Sequence, residues 1–115
     1  VSIVFDRVKA ALGLGHLLVA GPTDRTVARA ACCAGACGGD LLDSAIAAGV
    51  DLYLTGEMRH HDALKAARAG VTVVCTLHSN SERAALTRLA AMLAERLPDL
   101  AVVLSREDRD PFSIV

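Results

Sequence analysis

The sequence predicts an α/β fold, a layered sandwich with helices packed on a mixed, partly parallel sheet. Apolar strand-like runs alternate with segments of helical period along most of the chain, the order expected of strands joined by crossover helices. Glycine or proline marks most of the switches, and these residues punctuate local structure most strongly. The run Val71-Thr72-Val73-Val74-Cys75 carries the β-branched density of a strand buried on both faces.

Taken in order, Val4, Val8, Ala11 and Leu12 fall at helical spacing, and Gly13-Leu14-Gly15 stops that helix. Leu17 to Ala20 reads as a short strand closed by Gly21-Pro22, and Val27 to Cys33 as a second strand. Gly35, Gly38 and Gly39 make a loop before a helix through Leu41, Leu42, Ala45 and Ile46. Asp51 to Thr55 is a third strand ended by Gly56, followed by a helix from Arg59 to Ala69 with Gly70 as its cap. Val71 to Cys75 is the fourth strand. The longest helix is expected from Ser81 to Leu97, where Leu86, Leu89, Ala90, Leu93 and Leu97 form an apolar stripe and Pro98 ends it. Leu100 to Leu104 reads as a last strand, and the charged tail from Arg106 as a solvated edge whose Phe112 tucks back.

At 115 residues, 53% hydrophobic and 22% charged, residues 1–115 are expected to form one α/β domain. Twelve basic and thirteen acidic residues, with only three aromatics, provide neither a polybasic surface nor stacking platforms, so nucleic acid is excluded as a direct partner. No apolar stretch approaches the roughly 20 residues of a membrane span, and the first residues lack the basic flank of a secretory signal. A soluble, cytoplasmic protein is the expectation. The chain begins without Met, and its start reads like the middle of a domain. We expect a fragment, a processed chain or a trimmed one.

Cys32, Cys33, Cys37 and Cys75 form no paired CxxC motif. They are expected to be reduced, small and mostly buried thiols. A zinc site from Cys32, Cys33 and Cys37 is disfavoured, because neighbours on a strand point to opposite faces.

Three motifs are expected at the carboxyl ends of the strands, where ligands collect in open α/β sheets. They are Cys33 to Gly39, Thr55-Gly56-Glu57-Met58-Arg59-His60-His61-Asp62, and Leu77-His78-Ser79-Asn80-Ser81-Glu82. His78 and Glu82 stand four apart, on one face of a helical turn, where a metal ion could bridge them. Ser79-x-x-Glu82 also fits a capping box, and on spacing alone that explanation is preferred for Glu82. It leaves His78 unexplained. Imidazole and carboxylate are ordinary ligands for zinc, iron, manganese or nickel.

His60 and His61 are adjacent, diverge by about 100° on a helix, and do not readily share one ion. Glu57, four before His61, is placed to orient it by a hydrogen bond, while Asp62 suits the first turn of a helix. The glycine loop is most simply a strand-to-helix turn. It lacks the Lys-Ser/Thr of a P-loop and the complete GxGxxG fingerprint.

In these motifs the chain resembles the Nif-three-like dinuclear-metal family, also called GTP cyclohydrolase 1 type 2-like. The glycine loop running into Leu41-Leu42, the stretch Asp51 to Glu57 followed by His60 to Leu64, the pair His78 and Glu82, and the closing Asp108-Arg109-Asp110-Pro111-Phe112 carry the resemblance. They occur in the family's order and correspond to the C-terminal half of a full-length member.

The resemblance implies two divalent metal ions in a cleft between two similar α/β halves, and homo-oligomers assembled as hexameric rings. It makes His78 and Glu82 the metal ligands of this half, which overrides the capping explanation. It places Glu57, His60 and His61 along the same cleft, with Glu57 or His61 moving protons and His60 supporting the site or touching substrate. Two further histidines and an aspartate belong to the N-terminal half, and nothing here matches them.

One function that follows is a metal-dependent hydrolase acting on a nucleotide, in which paired ions acidify a bridging water. A non-catalytic metal-binding or protein-interaction module is the alternative. A third arrangement is half of a split protein whose missing ligands come from a separate polypeptide.

Overall fold

The computed structural model describes residues 1–114 and contains four helices and four strands. Helix α1 spans Ser2–Leu12, strand β1 Leu18–Ala20, β2 Ala30–Ala36, helix α2 Asp40–Ala47, β3 Leu52–Glu57, α3 His60–Arg68, β4 Thr72–Cys75 and α4 His78–Arg96. The sheet has the order β1-β4-β3-β2. β2, β3 and β4 are parallel, and β1 runs antiparallel to β4. The expected mixed, partly parallel sheet under helices is therefore the fold observed.

Register explains the core. Ala31, Tyr53 and Val73 pair across the three parallel strands and share one face. On that face Tyr53 and Val73 pack with Leu42 and Ala45 of α2 and Ala66 of α3. Leu42 is fully buried, and removing a side chain of that size from water is worth about 1.5–3 kcal/mol. Helix α4 lies against β2 and β3 and touches α1, yet neither α1 nor α4 has a fully buried residue.

Several boundaries differ from expectation. β2 begins at Ala30 rather than Val27, because the Asp51 carboxylate accepts the backbone N–H groups of Ala28 and Arg29 at 2.8 and 3.0 Å. Those amides are thereby taken from the ladder. Gly35 lies within β2 and Gly56 within β3, so neither ends its strand. The β2–β3 register shifts between Cys33 and Ala36, a local irregularity that accommodates Gly35 at φ 72°.

Helix α4 starts at His78, three residues before the expected Ser81. Among the described residues, Leu100 to Leu104 forms no strand. Its apolar sequence has no ladder partner, and Val103 is 86% exposed. The expected stripe of α4 is also largely uncovered, with Leu86 and Leu89 each half exposed. Phe112 does not tuck back, being 72% exposed. No helix among the described residues is long and apolar enough to cross a membrane.

Candidate metal-ligand site

Three elements bring polar side chains together: the irregular end of β2, the last residue of β3 and the first turn of α4. His78 Nδ1 lies 2.9 Å from Glu57 Oε1, and His78 Nε2 lies 3.4 Å from Glu82 Oε1. All three side chains are about half exposed. The two carboxylates address different ring nitrogens. With Glu57 accepting the Nδ1 proton, the neutral imidazole presents the lone pair of Nε2 toward Glu82. The Glu57 hydrogen bond raises the His78 pKa above its ordinary value, against a smaller desolvation effect, and Glu82's charge adds to the rise.

The backbone beneath this cluster explains how the helix comes so close. A Cβ at Gly35 would stand 3.0 Å from Glu82 Oε1 and 3.3 Å from His78 Nε2. One at Gly56 would stand 2.6 Å from both the Gly35 carbonyl and Ser81 Oγ, and 3.0 Å from His78 Cα. Two glycines thus form the floor on which His78 rests. Ser81 Oγ accepts the Gly35 N–H at 2.7 Å and donates to the His78 carbonyl at 2.7 Å. Thr55 Oγ1 donates to the Gly35 carbonyl at 3.1 Å, which fixes the irregular strand from below.

No capping box forms. Leu77 caps α4 without a side-chain hydrogen bond, Ser79 Oγ donates instead to Asp110 Oδ2, and Glu82 faces His78. Glu57 serves His78 rather than His61, contrary to the expected pairing. His60 and His61 are both exposed at the start of α3, with ring centroids 5.5 Å apart. Neither has a hydrogen bond or ion pair to Glu57, His78 or Glu82 among those of the described residues. Beside Glu57 a cleft of about 200 Å³ is lined by Ala36, Cys37, Gly38, Met58, Arg59 and Asp62. Asp62 approaches Gly38 so closely that any side chain there would collide with it.

The cysteines depart from the expectation of four free thiols. Cys33 and Cys37 are joined as a disulfide, their Cα atoms 6.2 Å apart across the irregular end of β2, where the register shift brings Cys37 back toward Cys33. Cys32 and Cys75 are free, and Cys32 is exposed rather than buried. Burial pushes the Cys75 thiol up to about 11, with Glu57's charge adding to the effect, so Cys75 stays protonated near neutrality.

The donor set fits part of a metal site. Two ligand atoms each about 2.1 Å from a tetrahedral ion stand about 3.4 Å apart, and this is the separation of His78 Nε2 from Glu82 Oε1. Among the described residues, however, no group of three or more His, Cys, Asp or Glu side chains is arranged to hold an ion. Gly35, Gly56, Ser81 and Thr55 escaped sequence reasoning as site residues. A glycine inside a strand run was the available signal, since it marks close approach of another backbone.

Residues 1–111 match a family model described as Duf34/NIF3 (NGG1p interacting factor 3). NIF3-like protein 1 of Mus musculus is 43% identical over 119 residues, covering 99% of this chain and 31% of the mouse protein. A GTP cyclohydrolase 1 type 2 homolog of Clostridium perfringens is 28% identical, over 97% of this chain and 43% of its own length. The Staphylococcus aureus protein SA1388 superposes with a TM-score of 0.83 at 24% identity, over 100% of this chain and 39% of that one, a likeness of fold. A Bacillus cereus protein related to NIF3 superposes with a TM-score of 0.76 at 26% identity, over 96% and 31%. The chain thus spans about a third of the length of the mouse relative.

Proposed function

The chain belongs to the Duf34/NIF3 family, and from that premise we propose that His78 and Glu82 are its ligands to a dinuclear divalent metal centre. The observation that supports this reading is the 3.4 Å separation of Nε2 and Oε1, with the opposite ring nitrogen engaged by Glu57. Carboxylates on the far nitrogen of metal-binding histidines fix the tautomer and raise ligand basicity. The remaining ligands come from the rest of the protein, which assembles as a homo-oligomer. Zinc, iron, manganese and nickel all suit an imidazole and carboxylate pair.

When bound, a divalent ion supplies Lewis acidity and a water acidic enough to react near neutral pH. Glu57, held by His78 at 2.9 Å and half exposed at the cleft mouth, is placed to take up and return a proton. His61 and His60, on the first turn of α3, contribute a second proton carrier and a substrate contact. We assign the reaction to metal-dependent hydrolysis of a nucleotide, from the similarity to the GTP cyclohydrolase 1 type 2 homolog of Clostridium perfringens. The alternative, a non-catalytic metal-binding or protein-interaction module, is supported by the description of the matching family as an interacting factor.

Elemental analysis together with native mass measurement of the intact protein tests the assignment. His78→Ala and Glu82→Ala are each expected to lower metal content at least about tenfold at matched folding. Unchanged occupancy in both variants would discard the ligand assignment. Stoichiometric metal with nucleotide turnover supports the hydrolase, whereas metal-independent folding without turnover supports the module.

A further inference from the structure

We propose that the C-terminal segment from Ser105 to Phe112 is a strap that sets the backbone at Leu77 and His78, with Asp110 and Ser79 as positioning residues. The proposal rests on His78 being a metal ligand as read above. Two independent observations carry it.

The first is strain. Leu77 has φ 70° and ψ 154°, a region almost confined to glycine. It is the only non-glycine residue with positive φ among those described, and it immediately precedes His78. Such a conformation persists only where its surroundings over-determine it.

The second is the set of hydrogen bonds around that residue. Asn80 Nδ2 donates to the Thr76 carbonyl at 2.8 Å, reaching across Leu77. Arg83 donates to Asn80 Oδ1 at 2.7 Å and to both oxygens of Asp108 at 2.8 and 3.0 Å. Ser79 Oγ donates to Asp110 Oδ2 at 2.8 Å, while Asp110 Oδ1 accepts the Phe112 N–H at 3.0 Å. The strap therefore grips the first two turns of α4 through two carboxylates, Asp110 on Ser79 and Asp108 on Arg83. Apolar burial does not hold it there, since Phe112 is 72% exposed. The bidentate Arg83–Asp108 pair fixes direction as well as distance, and Asp110 reaches the residue next to the ligand.

A structural anchor alone would lower stability without singling out His78, so the test separates the two roles. In the intact protein, Asp110→Ala and Ser79→Ala should each weaken cobalt(II) binding about tenfold, the usual effect of losing a ligand-orienting partner. The double variant should lose no more than either single one, because both remove the same contact. Asp110→Asn should restore binding to within about twofold, its amide oxygen accepting the Phe112 N–H and its amide nitrogen donating to Ser79. Glu107→Ala should leave binding unchanged, as among the described residues that carboxylate reaches only Arg109, at 4.0 Å.

Amide hydrogen exchange without metal gives a second readout. The Ser81 N–H, which donates to the Leu77 carbonyl at 3.3 Å, should exchange about tenfold faster in Asp110→Ala, while amides beyond Thr87 keep their rates. Faster exchange at Ser81 in a protein that takes up no cobalt would uphold the strap and overturn the ligand reading. Cobalt binding in Asp110→Ala and Ser79→Ala equal to that of the unaltered protein would overturn the strap and leave the ligand reading standing. Loss of binding that Asp110→Asn fails to restore would also overturn it.

Discussion

Strand β3 has an acidic residue at each end, and the two are used in opposite ways. Asp51, just before the strand, accepts backbone N–H groups from Ala28 and Arg29 and a guanidinium hydrogen bond from Arg25 at 3.0 Å. Its side chain is 19% exposed. Its acceptor capacity is largely used by neighbours that fold with it. Glu57, the last residue, has one side-chain partner among the described residues, the His78 ring, and is half exposed. That ring faces a second carboxylate which nothing else in the cluster neutralises. A carboxylate whose lone pairs are used inside the fold is a fastener. Two carboxylates sharing one imidazole at the surface leave acceptor capacity for something else.

The largest expected effect lies beneath the second cluster. Gly56→Ala places a methyl 2.6 Å from a carbonyl and from Ser81 Oγ, so β3 or α4 must move. Overpacking of this kind costs about 1–3 kcal/mol, and denaturant unfolding should show it. Gly15→Ala is the matched control, because nothing lies within 4 Å of its added carbon; its stability should stay within about 0.5 kcal/mol of the parent. Equal effects at the two glycines would mean that the helix does not rest on the β3 backbone.

A smaller difference is expected between the two acids. Asp51→Ala strips partners from two backbone amides and Arg25, and its melting temperature should fall by about 5 °C. Glu57→Ala removes only a surface contact with a histidine, and its melting temperature should change by less than about 2 °C. Differential scanning calorimetry distinguishes them. A larger drop for Glu57→Ala would make that residue the fastener and weaken the case for a site.

The same contrast explains what the sequence revealed. Helical and strand periods, with glycines between them, located all four helices and the four observed strands, because the α2 and α3 face is a closed core built from Leu42, Ala45, Tyr53 and Val73. Leu100 to Leu104 has equally apolar residues but no ladder partner, and periodicity carries no information about pairing. The four-residue spacing of His78 and Glu82 was legible as a helical pair. The Glu57 contact was not, since β3 and α4 meet only through the fold and nearest spacing pointed to His61. Capture of Ala28 and Arg29 amides by Asp51 was hidden for the same reason. Local propensity favours strand at Val27, and a distant carboxylate overrides it.

The smallest expected effect concerns acid, and its sign follows from the hydrogen bonds. The Asp51 pKa is lowered from 3.8, first by the Arg29 and Ala28 backbone N–H groups and then, against some desolvation, by the charge of Arg25. A group depressed on folding contributes stability that is complete above its unfolded value and lost as pH falls through its folded value. Denaturant unfolding from about pH 6 to about pH 2.5 should therefore show the advantage of the parent over Asp51→Asn shrinking as pH drops below 3.8. Asp108, lowered chiefly by its Arg83 hydrogen bond, titrates with the same sign, so the Asp51→Asn protein keeps part of its acid sensitivity. Combining Asp51→Asn with Asp108→Asn should flatten the profile further. A parent advantage that stayed constant across this range would show that the Asp51 contacts do not depend on its charge, and the contrast between the two ends of β3 would then be one of geometry alone.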